Sequence, residues 1–147
     1  MHDSVPAHDP SCLFCRILAG EIPSSRVLET PDAVAILDIQ PVNFGHVLLV
    51  PRLHHADLAE LPDDVAARVA TLLPRLARAI QAACKADGLN VVINNGRAAG
   101  QTVFHGHWHL VPRFVGDAVR WPWPQGRYEG DAMAVTQAAI ALQLTST

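Results

Sequence analysis

The sequence has little positive charge, few aromatic residues and no long apolar run. Its 147 residues include a single lysine, Lys85, and the 11 lysines and arginines are outnumbered by 14 acidic residues, for a net charge of −3. This balance disfavours a duplex-DNA-binding protein with a basic face, so we expect no nucleic-acid partner. Without about 18 consecutive apolar residues, no membrane span is expected. The N-terminus lacks the basic and apolar regions of a signal peptide, which favours a cytoplasmic location.

Cysteine is also scarce. The three cysteines, Cys12, Cys15 and Cys84, are an odd number, which disfavours a secreted disulfide framework and favours a reducing compartment. Cys12 and Cys15 are close enough to act as a redox pair or to share a metal ion, but the thioredoxin-like βαβ context of a redox pair is missing. We interpret them as metal ligands or buried thiols, and Cys84, in an alanine-rich helical segment, as a small core residue.

The spacing of apolar residues predicts one α+β domain with antiparallel strands. We expect a flexible arm over 1–10, a domain over 11–116, and a tail over 117–147 with a short helix, packed on the same domain or on a dimer partner. The predicted helices are 11–19 with Ser11 as N-cap, 62–87 with a kink at Pro74 and an end at Gly88, and about 131–143. The predicted strands are 26–28, 32–39, 46–51, 89–93 and 103–112.

Histidine, by contrast, is abundant, and three of the eight histidines alternate in F-H-G-H-W-H-L-V at 104–111. Because side chains alternate along a strand, one face should carry His105, His107 and His109. The other face, toward the core, should carry Phe104, Gly106, Trp108 and Leu110. The outer two histidines lie about 13 Å apart along a straight strand, too far for all three to bind one metal ion.

At least one histidine of this set must then have another role. A neutral imidazole can attack an activated phosphorus or carbonyl and form a covalent intermediate. The preceding loop, N-N-G-R-A-A-G-Q-T, favours phosphorus, because its backbone N–H groups can surround phosphate oxygens. Asn94, Gln101 and Thr102 add neutral donors, and Arg97 adds a positive charge.

These residues resemble the histidine triad (HIT) superfamily, whose signature is His-x-His-x-His followed by apolar residues. The matching segments are H-G-H-W-H-L-V-P-R, C-L-F-C-R-I-L-A-G-E-I-P, L-D-I-Q-P-V-N-F-G-H-V-L-L-V-P-R and G-L-N-V-V-I-N-N-G-R-A-A-G-Q-T-V-F-H, which together span about residues 12–113. The resemblance implies an α+β fold with a five-stranded antiparallel sheet and one long and one short helix. It also implies a homodimer in which two sheets become continuous.

The implied chemistry is hydrolysis or transfer at the α-phosphorus of a purine nucleotide derivative, such as an AMP-amine or a dinucleoside polyphosphate, through a covalent nucleotidyl-histidine. By position, His107 would be the nucleophile, His109 would lie beside the scissile phosphate, His46 would orient the triad, and Thr102 would contact the phosphate or the leaving group. The implied nucleotide-binding residues are Phe14, Ile17, Ile39 and Leu48 around the base, Asp38 on the ribose, and Asn94, Gly100 and Gln101 in the phosphate loop.

The zinc-containing bacterial-type branch of the superfamily binds one Zn²⁺ through a Cys-x-x-Cys pair and two histidines. The matching positions are Cys12, Cys15, His54 and His105, a set typical of a closed structural zinc site. His55 is the alternative to His54; register favours His54, and His55 would otherwise be solvated surface.

The tail segment W-P-W-P-Q-G at 121–126 resembles the C-terminal segment of the phosphoramidase branch, although 21 residues follow it here. Packing of its two tryptophans in a core or a dimer interface is the alternative interpretation.

Two other functions stay open at this point. One is a zinc-stabilised nucleotide-binding module without catalytic activity. The other is a metal-dependent hydrolase in which the triad binds a catalytic zinc ion. The second is disfavoured because the cysteines offer a better zinc site and because no carboxylate is expected near the triad to orient its ligands.

Overall fold

The computed structural model describes residues 8–145, so His2 and most of the predicted arm lie outside the described residues. Its helices are α1 (Leu13–Leu18), α2 (Asp63–Ala70), α3 (Leu73–Cys84) and α4 (Ala132–Thr145). Its strands are β1 (Arg26–Glu29), β2 (Ala33–Leu37), β3 (Val47–Pro51), β4 (Gly88–Ile93) and β5 (Trp108–Arg113). None of the helices in this part of the chain is long and apolar enough to cross a membrane.

The five strands form one antiparallel sheet in the order β1-β2-β3-β5-β4. This confirms the predicted α+β fold and its five-stranded sheet. Every residue of β2 and β3 is buried, which explains why both read as continuous apolar runs rather than as alternating patterns. The homodimer stays a prediction.

The sheet separates two apolar cores. On one face, inward residues of the central strands pack against α3 and α4, with Leu76, Ile80 and Ile140 fully buried. On the other face, Phe14 and Ile17 of α1 pack on a smaller cluster of sheet residues: Val34, Ile36, Leu48 and Val50. Helix α1 thereby brings Cys15, and Cys12 at its N-cap, close to the sheet.

The predicted helix 62–87 is two helices. The helical conformation is interrupted at Thr71 and Leu72, so that Pro74 lies in the first turn of α3. A backbone N–H in the first turn has no partner within the helix, so the N–H that proline lacks costs no hydrogen bond there. Helix α3 ends at Cys84, and the capping residue Lys85 adopts the left-handed conformation at φ 53°. Gly88 begins β4 instead of ending the helix. A single kinked helix was therefore the wrong prediction.

The first and last helices lie close to their predicted ranges. Helix α1 is capped by Cys12 rather than Ser11, because Cys12 Sγ accepts the Cys15 N–H at 3.4 Å. Helix α4 has 14 residues, lies close to the predicted range 131–143, and is the longest helix among the described residues. Gln137 Nε2 donates to Arg26 O at 2.9 Å, which joins the tail helix to the edge strand β1 of the same chain.

The predicted strand 103–112 begins only at Trp108, so Phe104, His105 and His107 precede it. Phe104 is 42% exposed and not in the core. The reason is that this segment bonds to the 51–57 segment instead of a neighbouring strand: the Gly106 N–H donates to His55 O at 3.0 Å. Trp108 and Leu110, inside the strand, do face the core as predicted.

Candidate active site and metal centre

A cavity of about 440 Å³ opens between α1, the end of β2, the 94–103 loop and the tail segment 121–125. This volume is in the range of small-molecule and cofactor sites. The four predicted catalytic residues and all eight predicted nucleotide-binding residues line it: His46, Thr102, His107 and His109, with Phe14, Ile17, Asp38, Ile39, Leu48, Asn94, Gly100 and Gln101.

His107 is held in one tautomer by its backbone neighbour. Its Nδ1 lies 2.7 Å from His105 O, and since a carbonyl oxygen can only accept, Nδ1 carries the proton. The lone pair is therefore on Nε2. Burial lowers the pKa of His107, which keeps the ring neutral, and the Phe14 ring packs edge-on against it with centroids 4.8 Å apart. The result is a neutral imidazole at the cavity with a basic nitrogen available.

His46 and His109 form a second hydrogen-bonded pair. The Val42 N–H donates to His46 Nδ1 at 3.1 Å, so the proton of a neutral His46 is on Nε2 and is donated to His109 Nδ1 at 2.9 Å. The remaining proton of His109 is then on Nε2. Burial lowers the pKa of His46 to about 4, and burial together with His107 and His46 lowers that of His109 to about 3, so both rings are neutral at pH 7.

A carboxylate does lie beside the triad, contrary to the expectation from sequence. Asp38 Oδ2 is 3.7 Å from His46 Nε2, because the Asp38 N–H donates to His46 O at 2.9 Å and joins the ends of β2 and β3. Asp38, His46 and His109 together offer three potential metal-ligand atoms within 4.8 Å of one another. However, the hydrogen bond from the Val42 N–H to Nδ1 keeps the proton of His46 on Nε2, the nitrogen that faces Asp38 and His109. A protonated nitrogen has no lone pair for a metal ion, so the arrangement favours a hydrogen-bonded chain over a metal site.

Gln101 lines the cavity but has no free donor. Its Oε1 accepts the Gly96 N–H at 2.7 Å, and its Nε2 donates to Ala56 O at 2.6 Å and to Val103 O at 3.0 Å. Both amide protons are used, which corrects the expectation of a neutral donor for phosphate. The Gln101 side chain instead fixes the shape of the predicted phosphate loop, residues 94–102. Thr102, by contrast, is exposed to the cavity.

The structure brings Cys12, Cys15, His54 and His105 together in a second cluster. Nδ1 of His105 lies 3.5 Å from Cys12 Sγ, 3.6 Å from Cys15 Sγ and 3.3 Å from His54 Nδ1, and Cys15 Sγ lies 3.4 Å from His54 Nδ1. His105 Nε2 donates to Pro51 O at 2.7 Å, so its Nδ1 lone pair points into the cluster.

These distances fit a tetrahedral zinc ion. With Zn–N near 2.05 Å and Zn–S near 2.3 Å, the edges of a tetrahedron are about 3.3 Å between nitrogens and about 3.6 Å between sulfur and nitrogen. Backbone N–H groups of Cys15 and Asp9 also donate to Cys12 Sγ and Cys15 Sγ, at 3.4 and 3.3 Å, as thiolate ligands require. Without metal, burial raises the pKa of Cys15 to about 11 and lowers that of His105 to about 4.

His55 is not solvated surface, contrary to expectation. It is 1% exposed, and its Nδ1 donates to Leu53 O at 2.9 Å. Its Nε2 is buried and has no hydrogen-bond partner among the described residues. Between the two adjacent histidines, only His54 joins the cysteine cluster.

The sequence did not assign two residues that contact these sites. Trp123 reaches the cavity of its own chain, with ring centroids 5.1 Å from His109 and 5.9 Å from His46. Asp9 Oδ2 lies 3.8 Å from His54 Nε2, so the end of the predicted flexible arm contacts the metal-site candidate. The W-P-W-P motif was the signal for Trp123; Asp9 had none.

Comparison with known proteins identifies relatives of this chain. A family model described as HIT domain matches residues 19–116. The chain is 37% identical over 140 residues to "Protein hit" of Bacillus subtilis (strain 168), covering 93% of this chain and 97% of that protein. It is 42% identical over 123 residues to adenosine 5'-monophosphoramidase HNT1 of Saccharomyces cerevisiae, covering 81% of this chain and 75% of that protein.

A solved structure described as a Zn-bound histidine triad family protein, from Mycobacterium smegmatis, superimposes with a TM-score of 0.80 at 38% identity, covering 93% of this chain and 98% of that chain. The residues that match the family model, 19–116, include all three triad histidines and the predicted phosphate loop. The chain therefore belongs to the HIT domain family.

Proposed function

We propose that this protein hydrolyses purine nucleotide derivatives, such as AMP joined to an amine, at the α-phosphorus, and that His107 carries the nucleotidyl group as a covalent intermediate. One observation carries this proposal: the 2.7 Å bond from His107 Nδ1 to His105 O leaves the Nε2 lone pair for attack at the cavity. A neutral imidazole held in this way is an effective nucleophile toward phosphorus.

The reaction takes two steps. In the first, His107 Nε2 bonds to the α-phosphorus while the bond from phosphorus to the leaving nitrogen breaks, and the amine leaves with a proton taken from solvent. In the second, water attacks the phosphorus, the bond to Nε2 breaks, and one proton returns to solvent. The net reaction consumes one water and gives AMP and the free amine.

The neighbouring groups favour the charge that develops. Once Nε2 is bonded to phosphorus the ring is cationic, and His105 O still accepts its Nδ1–H while Asp38 stabilises the positive charge. His109, whose Nδ1 accepts from His46, keeps its Nε2–H for a phosphoryl oxygen. Apolar side chains of Phe14 and Leu48 offer a surface for the base. The yeast relative's name supports an AMP derivative as substrate.

Zinc belongs to this proposal as a structural ion. Cys12, Cys15, His54 and His105 would hold it, and the ion would supply a cross-link between α1, the 51–57 segment and the triad rather than chemistry at phosphorus. The zinc-bound mycobacterial relative supports this assignment. We also propose the homodimer that the family resemblance implies.

The test is hydrolysis of adenosine 5'-phosphoramidate by the wild type and by His107→Asn. We expect the variant to lose roughly 1,000-fold or more in kcat, because the nucleophile is gone. His8→Asn, a change at an exposed histidine, should keep full activity. Guanosine 5'-phosphoramidate, adenylylated lysine and dinucleoside tri- and tetraphosphates then rank the substrates. A His107→Asn enzyme with the wild-type rate would refute the proposal.

A further inference from the structure

His55 and Gly106 form a pair of one large and one small residue directly behind the triad. A Cβ atom at position 106 would lie 2.5 Å from His55 Nε2 and 2.9 Å from His55 Cδ2. The imidazole therefore fills the space that any side chain at 106 would occupy. The HIT signature, His-x-His-x-His, leaves the residue between the first two histidines open, and here it is Gly106.

The His55 ring is fixed by its own bonds. Its Nδ1 donates to Leu53 O at 2.9 Å, and its main-chain oxygen accepts the Gly106 N–H at 3.0 Å. The ring also packs against His105, with centroids 5.4 Å apart. His55 thus contacts the 105–106 backbone both through a hydrogen bond and through the edge of its ring.

The unpaired His55 Nε2 is the same atom that faces Gly106. A buried nitrogen without a partner lowers the stability of the fold. An apolar side chain would fill this space without that cost, but it could not be anchored to Leu53 O. The orientation of the ring, rather than its burial alone, is what distinguishes a histidine at this position.

The backbone that His55 contacts is the one that controls His107. The peptide between His105 and Gly106 contains the carbonyl that accepts the His107 Nδ1–H at 2.7 Å. Its orientation decides whether this bond forms and, with it, whether the lone pair of His107 is on Nε2.

We propose that His55 is a positioning residue for His107: by its ring and its main-chain oxygen it sets the 105–106 peptide, and so keeps His107 in the tautomer that attacks. This inference rests on the proposed role of His107 as nucleophile. It assigns His55 no metal and no contact with substrate.

The test is a double-mutant cycle of His55→Asn and Gly106→Ala in the zinc-loaded protein, with long-range ¹H–¹⁵N spectra that report the tautomer of His107. Asparagine keeps a donor for Leu53 O but removes the ring edge beneath Gly106. We expect His55→Asn to lower kcat roughly 10-fold or more with KM changed less than about 2-fold, and to reduce the Nδ1–H tautomer of His107. His55→Gln, which keeps more volume, replaces it if the first variant does not fold.

Gly106→Ala alone should lower kcat further, because the new methyl group meets the His55 ring. In the double variant the methyl group enters the vacated space, and we expect kcat to recover roughly 5-fold or more over Gly106→Ala alone. His54→Asn is the matched control on the adjacent histidine: it should lose zinc, whereas His55→Asn should keep it, as measured by metal analysis.

An additive double mutant with an unchanged His107 tautomer would overturn the inference, as would loss of zinc in His55→Asn. The tautomer readout needs no substrate. If the wild type fails to hydrolyse any nucleotide derivative while His55→Asn still reduces the Nδ1–H tautomer of His107, the proposed function fails and the control of the His107 tautomer by His55 stands.

Discussion

His46 Nε2 donates to His109 Nδ1 across 2.9 Å, and the proton between them belongs to His46 because the Val42 N–H already occupies His46 Nδ1. A line of donors therefore runs from the Val42 backbone amide through the neutral ring of His46 to the neutral ring of His109 at the cavity. Each ring in the line has a defined tautomer. Together with His107, whose tautomer is defined by His105 O, the site has its donor and acceptor nitrogens fixed before any ligand binds.

Removal of His46 should harm catalysis through His109. In His46→Ala, His109 Nδ1 loses its donor and the ring is free to turn, so we expect kcat to fall roughly 10-fold to 100-fold. His46→Gln can still donate toward His109 and should lose less. The measurement is steady-state hydrolysis of adenosine 5'-phosphoramidate, and equal rates for the alanine and glutamine variants would contradict the hydrogen-bonded line.

The buried, neutral His46 should make the fold acid-sensitive. Its pKa is about 4 in the folded protein against 6.5 for an unperturbed histidine, so between these values the unfolded chain binds the extra proton. Stability therefore falls as pH falls through this window, and the contribution of His46 alone is about 2 kcal/mol between pH 7 and pH 5.

The measurement for this window is urea unfolding of the wild type and His46→Gln at matched zinc concentration. The acid-induced loss should be smaller in the variant by about the same 2 kcal/mol, because glutamine does not titrate. Equal losses in the two proteins would show that His46 is not buried in its neutral form.

The sequence predicted the sheet and the members of the site because both depend on local pattern. Alternating or continuous apolar runs define four of the five strands to within two residues, and only β5 begins five residues later than predicted. The residues predicted as catalytic, nucleotide-binding or zinc-binding line the cavity or form the cysteine cluster. Pro74 correctly indicated that the helical segment 62–87 is irregular. Its position in the first turn of a new helix, however, depends on how α2 and α3 pack on the sheet.

What the sequence could not predict depends on contacts between distant segments. The strand alternation assumed for His105 fails because the segment before Trp108 bonds to the 51–57 segment. His55 was predicted to be exposed because its neighbour His54 is the better zinc ligand. Its ring is nevertheless buried, in space that the missing side chain of Gly106, 51 positions later, leaves open. Asp38 is separated from the triad in sequence and meets it only through the β2–β3 turn.

The cysteine cluster should bind zinc and stabilise the fold. Cys15→Ser replaces a thiolate ligand with a hydroxyl, so we expect loss of stoichiometric zinc. We also expect the loss of about 2.7 kcal/mol of stability that a ligand at 100 times its Kd supplies. Cys84→Ser is the matched control: Cys84 lies apart from the cluster, so this variant protein should keep its zinc. Metal analysis and thermal melts with and without added zinc decide; equal zinc contents in both variants would contradict the site.

Gln101 should matter for stability more than for binding. In Gln101→Glu a carboxylate oxygen replaces the amide nitrogen that now donates to Ala56 O and Val103 O, so acceptors face acceptors. We expect a loss of about 1–3 kcal/mol or more in the free energy of unfolding. Thr102→Ala, at an exposed position of the same loop, should change kcat with stability nearly unchanged. A fully stable Gln101→Glu protein would refute the structural role.

In the proposed reaction, His107 carries the nucleotidyl group. The most direct measurement mixes the wild type with adenosine 5'-phosphoramidate for a single turnover, stops the reaction in base to preserve the phosphorus–nitrogen bond, and maps the modified peptide by mass spectrometry. We expect an adenylyl group on His107 that forms and decays at least as fast as turnover, and none on His109. Steady AMP release without any adenylylated His107, or with the group on another residue, would contradict it.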